Sequence, residues 1–152
     1  MESLTWRRPD RADHARIIAV VDAWWGGRAM AAMLPRLFVD HFADTSYVVD
    51  DDEGQLAGFV IAFMSPADAA TMYIHFIGVN PALRGAGLGR ALYARVAREA
   101  KAAGRSRIAA VTSPVNTTSL AFHAALGFEI GPVVPDYDGP GEDRVPMTLT
   151  LR

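Results

Sequence analysis

The segment from Ile77 to Leu92 restricts this chain more than any other. An apolar run ends at Val79, Asn80-Pro81 turns the chain, and Gly85, Gly87 and Gly89 alternate just before a helical pattern begins. A strand, a tight turn and a helix must therefore follow one another here. Glycines at every second position keep Cβ atoms away from the intervening backbone amides. A helix starting there adds unpaired N–H groups and the positive end of its dipole. The combination predicts a cradle for a diphosphate.

Two phosphate motifs fail on spacing. The P-loop requires Gly-Lys-Ser/Thr, whereas Gly89 is followed by Arg90-Ala91. In the dinucleotide fingerprint G-x-G-x-x-G, counting from Gly85 puts Arg90 at the third glycine, and counting from Gly87 puts Leu92 there. The pattern that fits is Arg/Gln-x-x-Gly-x-Gly/Ala, read as Arg84, Gly87 and Gly89 and preceded by Val79-Asn80-Pro81. It resembles the acetyl-coenzyme A signature of the GCN5-related N-acetyltransferase (GNAT) superfamily. A glycine-rich turn that only permits close packing is the competing reading, and the joint register of glycines, arginine and Val-x-Pro favours the ligand.

At 152 residues the chain is expected to be one domain, residues 1–152, large enough for a proper core. A net charge of −2 offers no basic field for nucleic acid. The first residues, Met1 to Arg8, have no apolar segment of the signal-peptide kind, and no apolar run approaches membrane-spanning length. The absence of cysteine excludes disulfides, thiolate metal sites and a cysteine nucleophile. No metal is expected, and a cytoplasmic location is the default.

Leu4–Arg7 predicts a short strand, with Asp10 or Asp13 capping a helix through Ile17, Ile18 and Val21. Trp24-Trp25-Gly26-Gly27 ends it. A second helical pattern runs through Met30, Met33, Leu34, Leu37 and Phe38, with Pro35 near a kink or a first turn. Tyr47–Val49 and Leu56–Phe63 predict a hairpin around Asp50-Asp51-Asp52-Glu53-Gly54, an acidic run whose consecutive carboxylates suit a solvated turn better than a metal. Tyr73–Val79 is the next strand, and Leu88, Leu92 and Val96 share one face of a helix ending near Gly104. Arg107–Val111 is a strand, Asn116 caps a helix stopping at Gly127-Phe128, and Glu129–Val134 with Val145–Leu151 closes the chain. The order β-α-α-β-β-β-α-β-α-β-β indicates an α/β domain with a mixed sheet.

That order is similar to the whole GNAT fold: a mixed central sheet flanked by helices, with splayed parallel strands at the acetyl-CoA site. A second stretch supports the resemblance, Asn116-x-x-Ser119-x-x-Phe122-His123-x-x-x-Gly127-Phe128, against the family's Asn-x-x-Ala-x-x-Phe/Leu-Tyr-x-x-x-Gly-Phe. The resemblance implies that backbone groups of Ile77 and Val79 pair with the pantetheine arm and that the Val79 N–H holds the thioester oxygen. It implies that Arg84, Gly85, Ala86, Gly87, Leu88, Gly89 and Arg90 cradle the pyrophosphate, largely through amides. Arg84 and Arg90 add charge or are simply solvated. Asn116 approaches the pantetheine or acyl end, and Phe122 forms an apolar wall. The family's tyrosine, credited with protonating the departing thiolate, is His123 here. Imidazole can serve as that acid, and a packed helix histidine is the equal alternative.

A primary amine with a pKa near that of lysine, ~10.4, is overwhelmingly protonated near neutral pH and must lose a proton before it attacks. The two-residue period puts Tyr73, His75 and Ile77 on one strand face. The arrangement is similar to that of arylalkylamine N-acetyltransferases, where histidines on this strand relay the proton. With Tyr73 at the first position, a two-histidine relay is not preserved. His75 is the candidate base, and a buried structural histidine is its competitor. Trp24, Trp25 and Arg28 lie between the first two helices, which flank the acceptor cleft in the family; the tryptophans suit an aromatic or apolar acceptor or a core. The acidic loop Pro135–Arg144, with Tyr137, suits an ammonium group or is an ordinary hydrophilic hairpin loop.

Together these features imply an N-acetyltransferase that moves acetyl from acetyl-CoA to a primary amine of a small molecule by direct attack, without an acyl-enzyme. A peptide amine is the rival acceptor, an acyl-CoA sensor without turnover the rival class, and a nucleotide-binding protein a distant third. The family commonly forms homodimers, so a homodimer is implied.

Overall fold

The computed structural model describes residues 3–152. The elements are β1 (Thr5–Arg7), α1 (Arg11–Trp24), a 3₁₀ turn (Ala31–Met33), α2 (Leu37–His41), β2 (Tyr47–Asp50), β3 (Leu56–Met64), β4 (Thr71–Val79), α3 (Leu88–Ala102), β5 (Arg107–Thr112), α4 (Thr117–Ala125), β6 (Glu129–Ile130) and β7 (Val145–Thr150). Their order is the one expected. The strands form a seven-stranded sheet ordered β1-β2-β3-β4-β5-β7-β6. Neighbours β1–β2, β2–β3, β5–β7 and β6–β7 are antiparallel, and β4–β5 is parallel, so the sheet is mixed. The parallel ladder pairs Thr71, Met72 and Tyr73 with Arg107, Ile108 and Ala109, while β4 runs on to Val79 and β5 to Thr112.

By compactness the chain falls into two units, the first holding residues up to Phe63 with His75–Val96, the second Met64–Ile74 with Ala97–Arg152. In the first unit, Asp10 caps α1 in a reciprocal capping box with Asp13. Asp13 is buried, and Arg7 grips both its oxygens at 2.6 Å. Ile17, Val21 and Trp24 of α1 enter a core with Leu34, Val39, Val48, Leu56, Phe59, Ile61 and Phe76. Adjacent β3 residues point to opposite sheet faces. Phe59 stacks on Trp24 of α1, while a Cβ built on Gly58 would lie 3.0 Å from Leu88 of α3. Hence α1 and α3 cover opposite faces of β3. Leu88, Leu92 and Val96 are all buried, which bears out the helix face read from their spacing.

One expectation about this unit needs correction. The second helix is not continuous: a 3₁₀ turn ends at Met33, Leu34 is extended (φ −124°, ψ 76°), and helix resumes only at Leu37. Pro35 is the cause, since proline disfavours the helical region for its predecessor and has no N–H to donate. The acidic run is a turn exposed at Asp52, Glu53 and Gly54, as expected, and its first two carboxylates are engaged. Asp50 ends β2 and pairs with Arg7 at 3.1 Å and Arg16 at 2.7 Å, and Asp51 Oδ1 accepts the N–H groups of Glu53 and Gln55.

In the second unit, β5 lies between β4 and β7. Asn116 Oδ1 accepts the Ser119 N–H as the α4 cap, as its position predicted, and Gly127 ends the helix at φ 97°. The expected strand Glu129–Val134 shrinks to Glu129–Ile130 plus a single bridge between Val134 and Arg144. Pro132 has no N–H to extend the ladder.

Candidate active site

The glycine turn is built in the first unit. Asn80 anchors it to β3: its N–H donates to Ala57 O at 2.8 Å and its Nδ2 to Leu56 O at 3.2 Å, while its Oδ1 accepts the Ala82 N–H. Gly85 and Gly87 then adopt φ 88° and 90°, values that glycine alone takes without strain, and a Cβ on either would meet nothing within 4 Å. Gly89 lies in the first turn of α3. The Ala91 N–H donates to Gly87 O, so the N–H groups of Leu88, Gly89 and Arg90 precede the helix's own ladder. Gly85, Ala86, Gly87 and Arg90 are exposed, whereas Leu88 is buried. Arg84 is exposed and is tied back to the first helix. Its Nη2 donates to the carbonyl oxygen of Trp24 at 2.6 Å, at the end of α1.

Along β4, Tyr73, His75, Ile77 and Val79 are half-buried and alternate with buried Met72, Ile74, Phe76 and Gly78, the face alternation expected from the sequence. His75 Nε2 lies 2.6 Å from Met33 O. A carbonyl only accepts, so Nε2 carries the proton and a neutral His75 has its lone pair on Nδ1. The ring stacks on Phe38, with centroids 4.1 Å apart and planes 5° off parallel. Trp24 and Trp25 separate in role. Trp24 is 8% exposed and part of the core, while half-buried Trp25 sets its ring edge-on to Phe76 and against Gly78. Gly78 has no alternative, because a Cβ there would come within 2.7 Å of Phe59.

The remaining sequence candidates lie in the second unit. Burial, together with the charges of Tyr137 and Asp138, pushes the Tyr73 phenol up to about 12, so it stays protonated. His123 is 5% exposed, edge-on to Phe122 and Phe128, and burial lowers its pKa. Its Nδ1–H donates to Ser119 O at 2.7 Å. In the neutral ring Nε2 therefore has no proton, and the cation that could donate one from there is disfavoured. Tyr137 is 49% exposed, on a loop whose carboxylates are already engaged. Arg144 pairs with Asp138 and Glu142, Asp136 accepts the Gly141 N–H, and Asp143 accepts the Asp136 N–H.

Sequence reasoning missed the surroundings of His75. Asp22 Oδ1 accepts the N–H groups of Met30 and Ala31 at 2.8 and 2.9 Å, and His14 Nε2 donates to Leu34 O at 2.8 Å. A backbone carbonyl such as that of Met33 leaves no trace in side-chain pattern.

Residues 6–128 match the family described as Acetyltransferase (GNAT) family. The chain is 34% identical over 83 residues to the L-2,4-diaminobutyric acid acetyltransferase of Virgibacillus pantothenticus, a match covering 55% of this chain and 52% of the relative. The chain spans about half the length of the curated relatives it matches. Among solved structures it resembles a GNAT-family protein from Desulfovibrio desulfuricans, at TM-score 0.81 and 24% identity, over 99% of this chain and 100% of the other. It also resembles the diaminobutyrate acetyltransferase of Paenibacillus lautus, solved with its substrate L-2,4-diaminobutyric acid and coenzyme A, at TM-score 0.76 and 20% identity over 99% and 96%. Those two likenesses concern the fold, whereas the family match runs over residues 6–128 and includes the strand-turn-helix segment and α4: this chain belongs to the GNAT acetyltransferase family.

Proposed function

We propose that this chain is an acetyl-CoA-dependent N-acetyltransferase acting on the primary amine of a small molecule by direct attack. The observation that carries the reading is the glycine cradle. Left-handed Gly85 and Gly87 open onto free space beside the first-turn amides of α3, as binding of a diphosphate requires. Acetyl-CoA, when bound, supplies an activated acetyl thioester. The amides from Gly85 to Arg90 would hold its pyrophosphate, with charge from Arg90, and the backbone of Ile77 and Val79 would hold the pantetheine arm. Asn116 uses Oδ1 as a cap, so Nδ2 is the group left for the role the resemblance implies for it, and Phe122 keeps its implied role as an apolar wall.

The chain's own task is to deprotonate the acceptor. His75 suits it through Nδ1, because Nε2–H is engaged by Met33 O. Tyr73, held protonated, is suited to donate a hydrogen bond rather than to accept a proton. For His123 the geometry favours packing over acid catalysis, and a thiolate leaves readily without an acid.

Support for an aromatic acceptor is reduced to Trp25 and Tyr137, since Trp24 lies in the core. The relatives named for L-2,4-diaminobutyric acid favour an amino-acid amine. Half-buried Arg28, which has no side-chain ion pair among the described residues, suits the carboxylate of such an acceptor. The reading includes a single domain over residues 1–152, a cytoplasmic location and a homodimer by family habit; no helix among the described residues is long and apolar enough to cross a membrane.

Thiol release from acetyl-CoA over a panel of amino acids, diamines, arylalkylamines and short peptides tests the proposal. Release that depends on one class of small amine is expected. Release with peptides alone would move the acceptor to protein, and acetyl-CoA binding without release for any class would overturn the enzyme.

A further inference from the structure

Three side chains clip one short turn. Asp22 Oδ1 accepts the N–H groups of Met30 and Ala31, at 2.8 and 2.9 Å. The carbonyls of the same two residues accept the N–H groups of Met33 and Leu34, at 3.0 and 3.1 Å. Beyond Ala32, two successive carbonyls are taken by histidines, Met33 O by His75 and Leu34 O by His14. The turn that carries the Met33 carbonyl is thus held at its other end by a carboxylate on α1. Phe38, stacked on the imidazole at 4.1 Å, holds the ring plane but does not select which nitrogen carries the proton. The carbonyl selects it.

We propose that Asp22 is a positioning residue for His75, acting through the Met30–Met33 turn to keep the proton on Nε2 and the lone pair on Nδ1. What Nδ1 does with that lone pair rests on the acetyltransferase reading above, whereas the tautomer does not. In the reaction, an N–H bond of the acceptor ammonium breaks and an Nδ1–H bond forms. The electron pair stays on the amine nitrogen, and the imidazolium keeps its Nε2–H on Met33 O until Nδ1 returns the proton to solvent. A carbonyl suits this role because it accepts Nε2–H from both the neutral and the charged ring. Asp22 is exposed and works at a distance from the reacting atoms, so its removal should displace the base without dismantling a core.

Asp22→Asn keeps an oxygen that accepts both N–H groups, and Asp22→Ala removes it. Ring ¹⁵N spectra of the full chain should show the Nε2–H tautomer of His75 in the wild type and in Asp22→Asn, and mixed tautomers in Asp22→Ala. With the amine giving the fastest thiol release in the panel, kcat should fall about tenfold to a hundredfold in Asp22→Ala, as expected for a misplaced catalytic group. KM for acetyl-CoA should not change, and Asp22→Asn should restore kcat. An unchanged tautomer in Asp22→Ala, or an Asp22→Asn variant as impaired as Asp22→Ala, would overturn the proposal. Should Asp22→Ala not fold, loss of the Nε2–H tautomer in Asp22→Asn would overturn it and retention would support it. If no amine supports release, the acetyltransferase reading fails, and the spectra still decide the role of Asp22.

Discussion

The guanidinium of Arg84 donates to the carbonyl oxygen of Trp24 at 2.6 Å, tying the glycine turn to the end of α1. The last carbonyls of a helix lack intrahelical donors, and a cation there also meets the negative end of the dipole. Arg84→Ala is therefore expected to lower stability by about 1 kcal/mol in chemical denaturation. Calorimetric titration with acetyl-CoA should find it less harmful to binding than a change in the glycines. The reverse order would return Arg84 to the diphosphate.

Gly87→Ala separates strain from ligand approach. At φ 90° an L-residue is strained by about 1–2 kcal/mol, although no protein atom lies within 4 Å of the new Cβ. That Cβ would project where the diphosphate is proposed to sit, so acetyl-CoA affinity should drop about tenfold, equivalent to ~1.4 kcal/mol. Gly54→Ala, in the β2–β3 turn at φ 78° with equally open surroundings, is the matched control. It should carry the strain and keep the affinity.

His123 predicts a pH dependence of stability. Burial lowers its pKa in the folded state, so the unfolded chain binds this proton more readily. The stability it contributes is fully present above the usual histidine pKa of about 6.5, and is lost as pH falls from there toward the lowered folded value. Urea denaturation midpoints should decline more steeply between pH 7 and pH 5 for the wild type than for His123→Gln. Parallel slopes would contradict the burial argument. If the imidazole, buried with Nδ1–H on Ser119 O, only packs, thiol release at pH 7.5 should survive the same substitution.

Asp13 concerns the fold alone. Burial acts to raise its pKa, but hydrogen bonds from Arg7, the Asp10 N–H and Arg16 outweigh it, and the carboxyl sits below the ordinary range. Its contribution is present above the unfolded carboxyl pKa and lost as pH falls through the lowered folded value. Arg7→Ala leaves this buried charge without its main partner, and thermal denaturation at pH 7 should reveal a loss of about 3 kcal/mol. The loss should shrink when Asp13→Asn is added, since the pair is coupled.

Elements, their order and the glycine turn were legible because each is written locally. Two-residue alternation set the faces of β4, three- and four-residue spacing set the buried face of α3, and Asn116 announced the start of α4. Where local signals competed, the reading slipped. The apolar spacing from Met30 to Phe38 looked helical, but Pro35 at its centre overruled it. The length of β6 was overestimated for a similar reason, with Pro132 inside the apolar run.

The sequence by itself determined that a strand, a left-handed glycine turn and a helix start adjoin, because turn chemistry and periodicity are properties of neighbouring residues. Tertiary structure alone decided which side chains the site could use. Arg84 found a carbonyl 60 residues away, and His75 found one 42 residues away. Of two adjacent tryptophans, one went into the core and the other onto Gly78. The acid reading of His123 weakened only when its ring proved buried, with its proton committed to Ser119. A side chain's protonation and reach depend on what the rest of the chain brings against it, and separation along the sequence carries no record of that.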